Sequence, residues 1–145
     1  MTLLRNIKNG IQNFWHYRKI VWRHRDWDYG FILEMMKFQI TDLATYLEKY
    51  GWEVDEGRLP KIAQMKRVIE LLENERNDNF AERCGWKLSH FDWKKREDGT
   101  YELIRDTSEI SDEELSAIFK AAQILEDDEW KECMNLLKDI KTWWD

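Results

Sequence analysis

The sequence predicts a mainly α protein: a four- to five-helix, bundle-like domain with a small β-hairpin insertion near residues 86–105. Three observations predict it. Apolar residues recur at three- and four-residue steps over most of the chain, the spacing that gathers them on one helical face. One Pro and 6 Gly in 145 residues leave little turn chemistry for an all-β fold. Asp98-Gly99 separates two short alternating segments, a hairpin signature. The length suits one helical domain over 1–145, since domains run to about 100–200 residues. Such a chain buries roughly two thirds of its unfolded surface and needs no disulfide or metal staple.

Residues 3–22 form the first expected helix, with Leu4, Ile7, Ile11, Phe14, Trp15, Val21 and Trp22 at helical spacing. Gly10 weakens it by about 1 kcal/mol relative to Ala. Basic, aromatic and amphipathic, this helix also fits the description of a membrane-surface helix. Because the apolar stripe continues into the next helix, we expect it to pack as a core helix instead. Arg23 to Tyr29 breaks the pattern, and Asp26 or Asp28 can N-cap a second helix over 28–49. Tyr29, Ile32, Met36, Ile40, Leu43 and Leu47 share one face of it. Phe31, Met35 and Phe38 widen its apolar surface, which predicts a central helix.

Gly51 closes that helix, and Pro60 suits the first turn of a third over 60–76, with Ile62, Met65, Ile69 and Leu72 inward. Residues 77–85 are polar and end at Gly85. The hairpin follows, with a two-residue turn at Asp98-Gly99. Ser111 to Glu114 is a capping box opening a helix over 112–126, on Leu115, Ile118, Phe119, Ala122 and Leu125. Glu126 to Glu129 either breaks that helix or forms a surface turn of one longer helix. Trp130, Cys133, Leu137, Ile140 and Trp144 carry the stripe onward.

The chain holds 23 Lys+Arg against 29 Asp+Glu, net -6, unevenly spread. Residues 1–30 hold six basic and two acidic side chains, and residues 109–145 hold four basic and eleven acidic. Opposite ends of such sign meet within a chain or between subunits, or stay solvated. The net charge opposes a long polyanion, so we expect no long nucleic acid as partner. No run approaches the ~18 apolar residues of a spanning helix, and no apolar signal run opens the chain. We therefore expect no membrane partner and a cytoplasmic location. Cys84 and Cys133 lack metal or redox spacing and read as reduced thiols.

Catalytic motifs are sparse. There is no Gly-rich phosphate loop, GxSxG elbow or HExxH pair. His16 and His24 are eight residues apart, too far for a local metal pair. His24, Asp26 and Asp28 can make a metal cluster of the nuclease or phosphodiesterase kind, although capping is the simpler role for either Asp. Cys84 and His90 can form a nucleophile pair with nothing nearby to orient it. We expect no enzyme activity and no cofactor.

The segment from Trp15 to Tyr29 interleaves aromatic rings with Arg and Asp, and we take Trp15, Arg18, Trp22, Arg25, Asp26, Trp27, Asp28 and Tyr29 as candidate ligand-binding residues. Indole and phenol faces stack on bases, worth about 1–3 kcal/mol each by truncation. Arg offers a planar fork to phosphate oxygens, and Asp accepts from a base amine or ribose hydroxyl. The competing reading is structural: Trp and Tyr are good core and interface residues, and Arg25 can pair with Asp28.

Arg25-Asp26-Trp27-Asp28-Tyr29, the internal Lys49-Tyr50-Gly51-Trp52 and the terminal Trp143-Trp144-Asp145 resemble a group of small proteins from tailed bacteriophages. We read that group as including the anti-CBASS sponge proteins, oligomers that bind cyclic dinucleotide immune signals without cleaving them. No ligand residue of those proteins maps onto these positions by motif. The resemblance implies a phage immune-evasion protein in the cytoplasm of an infected bacterial host. It would be a homo-oligomer that sequesters a small cyclic nucleotide. The alternative is a phage protein that inhibits or adapts a host enzyme through protein–protein contacts.

Overall fold

The structure is a computed structural model and describes residues 2–23, 29–88, 91–105 and 110–144. It is mainly α with one two-stranded antiparallel hairpin, as the sequence predicts. In chain order come α1 (Thr2–Arg23), α2 (Tyr29–Tyr50), α3 (Asp55–Asn77), the short α4 (Phe80–Arg83), β1 (Phe91–Lys95), β2 (Tyr101–Arg105), α5 (Asp112–Leu137) and a 3-10 segment (Lys138–Trp144). The residues group into two compact units, 1–76 and 77–145.

In the first unit, α2 and α3 run antiparallel. Glu48 pairs with Lys66 at 2.6 Å, Lys37 pairs with Glu73, and Glu34 pairs with Arg76 at 2.7 Å, so partner numbers rise on one helix as they fall on the other. Buried between these part-covered to exposed rungs lie Leu33, Ile40, Leu43 and Ala44 of α2 and Ile62, Met65, Val68, Leu71 and Leu72 of α3. Lys37 also pairs with Glu34 at 3.1 Å. Burial works against its charge, but the bonds and charges of Glu73 and Glu34 outweigh that and raise its pKa above the usual lysine value.

α3 begins five residues before the expected start, so Pro60 lies inside the helix. Asp55 and Glu56 occupy the first turn, where negative charge suits the exposed amides, and the Arg58 guanidinium bonds Asp55 at 2.5 Å. Pro60 forgoes the bond to the carbonyl four residues back. Gly51 is required where α2 ends. Its N–H donates to the Leu47 carbonyl at 3.0 Å. A Cβ there would lie 2.5 Å from that same oxygen and 2.6 Å from Cδ of Arg58.

α1 does not pack as a core helix. None of its described side chains is buried. It meets α2 through one side near its C-terminal end: Nε2 of His16 lies 2.6 Å from Oδ2 of Asp42, Nε2 of Gln39 donates to the Tyr17 hydroxyl at 2.8 Å, and Phe38 touches both rings. Tyr17 and Ile20 are half-buried on that side. The expected core residues of α1 point elsewhere and are exposed.

In the second unit, the capping box forms as read. The Ser111 hydroxyl accepts from the Glu114 amide at 3.2 Å, and Glu114 accepts from the Ser111 amide at 3.0 Å. The Ser111 amide first, and second the Ser111 hydroxyl, which also donates to the Glu114 carboxylate at 2.9 Å, lower the Glu114 pKa. α5 runs unbroken through Glu126 to Glu129, so that acidic run lies within one long helix. Glu129 is buried and grips Arg83 of α4 with two bonds, 3.0 and 2.5 Å. The hairpin turn is one residue longer than expected. Arg96 N–H donates to the Thr100 carbonyl at 2.8 Å and Gly99 N–H to the Arg96 carbonyl at 3.1 Å, enclosing a three-residue loop with Gly99 at φ 87°.

Two stability measurements check this account. Gly51→Ala should destabilise by about 1–3 kcal/mol in chemical unfolding, because the backbone oxygen it strikes cannot turn aside. Glu114 has a lowered folded pKa, so its contribution is present above its ordinary value near 4.5 and is lost as pH falls through the folded value. The stability gap between the wild type and Glu114→Gln should therefore be present at neutral pH and close on acidification.

Candidate functional site

The C-terminal turns of α1 bring part of the predicted site together. Trp15, Arg18 and Trp22 are spaced three and four residues apart, so they share one helical face. With Phe14 and Lys19 they line an open hollow of about 350 Å³. Trp22 is 91% exposed and Trp15 57% exposed. The Arg18 guanidinium lies 4.7 Å from the Trp15 ring centroid and donates to the Trp15 carbonyl at 2.5 Å, so cation and indole form one stacked unit. Phe14 meets Trp15 edge to face, with centroids 6.3 Å apart.

Tyr29 opens α2 and is 61% exposed. Arg25, Asp26, Trp27 and Asp28 lie outside the described residues, as do His24 of the metal-cluster reading and His90 of the nucleophile-pair reading. Phe14 and Lys19 are members of the hollow that the candidate set leaves out. The signal for them is simple: each sits one residue from a chosen position and four from another, on the same side of the helix.

His16 has a positioning role. Its bond to Asp42, beside the Tyr17–Gln39 bond, fixes which side of α1 faces α2 and so which side carries the hollow. A second hollow, of about 280 Å³, lies at Glu48, Arg58, Leu59, Ile62, Ala63 and Lys66. Its cations are paired already, Lys66 with Glu48 and Arg58 with Asp55. The α1 hollow differs because its Lys and Arg come from a helix with no acidic residue. Among the described residues no group of three or more His, Cys, Asp or Glu is placed to hold a metal ion. Cys84 and Cys133 are free thiols, the second buried.

No family model, curated protein or solved structure matches this chain. The hollow offers three ring faces for stacking and two cations for anionic oxygens. Such a set can hold an aromatic anion by stacking and ion pairing.

Burial separates exposed aromatics from structural ones. Trp22→Ala should leave unfolding free energy within about 0.5 kcal/mol of wild type, as an exposed substitution does. Trp143, fully buried in the terminal 3-10 segment, should cost about 3–5 kcal/mol when changed to Ala. Urea unfolding of the two variants checks both.

Proposed function

We propose that this chain binds a small cyclic oligonucleotide signal and holds it without cleaving it. The observation that carries the reading is the α1 hollow, where Trp15, Trp22 and Phe14 stand beside Arg18 and Lys19. Bases stack on the rings, and phosphates meet the cations. Arg25, Asp26, Trp27 and Asp28, within five residues of the end of α1 in sequence, are of the types that would add stacking, a cation and acceptors for base amines.

Sequestration works by mass action. It requires a Kd well below micromolar, about -10 kcal/mol or better. Two stacked bases and paired phosphate contacts supply that on a preorganised face. A symmetric homo-oligomer suits a two-fold cyclic ligand, since equivalent faces of two subunits can share it. In this reading the protein acts in the cytoplasm of a phage-infected bacterium and keeps an immune signal away from its effector.

Thermal denaturation against a panel of cyclic dinucleotides, cyclic trinucleotides and cyclic ADP-ribose isomers tests this. A true ligand at 100 times its Kd adds about 2.7 kcal/mol, a rise of roughly 5–10 °C. Heat-released ligand should be chemically intact, and Trp15→Ala and Arg18→Ala should abolish the rise without lowering the ligand-free midpoint. Altered ligand would make the protein an enzyme. No rise across the panel would overturn the reading and favour the alternative, inhibition of a host enzyme through protein contacts.

A further inference from the structure

α1 carries an apolar face far larger than the hollow. Placed at 3.6 residues per turn, Leu4, Ile7, Ile11, Phe14, Trp15 and Trp22 fall within an arc of about 120°. Each is half or more exposed, from 50% for Ile7 to 91% for Trp22. The side that meets α2, with His16, Tyr17 and Ile20, lies opposite the centre of this arc. The apolar face is thus directed away from α2 by specific bonds. Arg18 falls inside the arc, but its guanidinium is folded back over the Trp15 ring, and a long side chain of this kind can keep its head in water while its stem lies on apolar surface.

Charge selects among occupants of this face. α1 holds five of the chain's 23 Lys and Arg and none of its 29 Asp and Glu. Arg5, Lys8 and Lys19 line one flank of the arc, where their heads would reach the plane of a surface on which the helix lies. A second copy laid on the same face would set two acid-free basic helices together. No helix among the described residues is long and apolar enough to cross a membrane.

Against the sequence expectation of no membrane partner, which rested on the lack of a spanning helix and on a core role for α1, we propose that α1 docks on an anionic lipid surface, lying in its plane with the apolar arc in the headgroup–acyl boundary and the basic flank among the headgroups. An apolar face with Trp, Phe and Leu, a basic polar edge and a modest overall hydrophobicity are the features that hold helices in this position. The proposal does not rest on nucleotide binding. Leu4, Ile7 and Ile11 lie up to three turns before the hollow and take no part in it.

Co-sedimentation of the full chain with phosphatidylcholine vesicles, with and without roughly one-third phosphatidylserine, tests the proposal. Binding should be about tenfold or more tighter to the serine-containing vesicles at low salt and should weaken as salt rises. Brominated lipids should quench tryptophan emission, and the quenching should fall in a Trp15→Phe, Trp22→Phe double variant. Ile7→Asp and Ile11→Asp should lose vesicle binding with unchanged melting midpoints. Both should keep any nucleotide-induced rise, so failure of one reading leaves the other standing. Lys8→Glu with Lys19→Glu should remove the preference for phosphatidylserine. Absence of binding, or equal binding to both vesicles, would overturn the proposal. Concentration-dependent dimerisation lost in Ile11→Asp, without vesicle binding, would overturn it too and assign the face to a second copy.

Discussion

The first unit depends on one constraint, that α2 and α3 are fastened to each other along their length. The ion pairs from Glu34–Arg76 through Lys37–Glu73 to Glu48–Lys66 fix an antiparallel register. Between those rungs the apolar faces of both helices are buried. A Lys held by two carboxylates is a directional contact, because a shift by one helical turn would leave Lys37 without Glu73 and Glu34 without Arg76. Apolar burial drives the association, and these pairs select the register. With that pair closed, α1 attaches through a polar and aromatic patch at His16 and Tyr17, and its own apolar stripe is left outward.

The second unit solves a related problem differently. Glu129 is buried within an otherwise solvated acidic run, and a lone buried carboxylate is expensive. Arg83 meets both of its oxygens. The short α4 therefore exists in a fixed place relative to α5: its Phe80 is buried and its last residue supplies the guanidinium. Gly85, at φ 104°, turns the chain out of α4 toward the hairpin. Removing one partner of the Arg83–Glu129 pair leaves a charge in a site built for two, which costs more than the pair itself contributes.

Local chemistry was legible in the sequence, and long-range covering was not. The Ser111–Glu114 box and the Asp98-Gly99 turn involve residues within three or four positions of each other, and both form, the turn with one extra residue. Pro60 misplaced the start of α3 because proline favours first turns, while the acidic pair Asp55-Glu56 outweighed it. Glu129 looked like its solvated neighbours, since only a guanidinium 46 residues away in sequence distinguishes it. Trp15, Arg18 and Trp22 were readable as one face from spacing, and Phe14 and Lys19 lay on the edge of that reading. The largest difference concerns α1. A periodic stripe tells that a helix has an apolar face and says nothing about what covers it. The continuation of the stripe into α2 suggested a shared core, yet α2 is taken by α3.

That outward stripe ties the two readings of α1 to one electrostatic fact. All 29 acidic residues lie outside α1, so a phosphate, whether free or on a lipid, meets a basic helix there. α1 carries five cations and no carboxylate of its own, the charge that favours an anion. The two occupants differ in what they require of the helix. A nucleotide requires rings and cations concentrated within two turns, which Phe14 to Trp22 provide. A lipid surface requires apolar contact along the whole length, which Leu4, Ile7 and Ile11 extend toward the N-terminus. The His16–Asp42 and Tyr17–Gln39 bonds serve both equally, because they orient the helix without consuming any residue of its outer face. The outer face of α1 is therefore where an exposed apolar stripe and an excess of positive charge coincide.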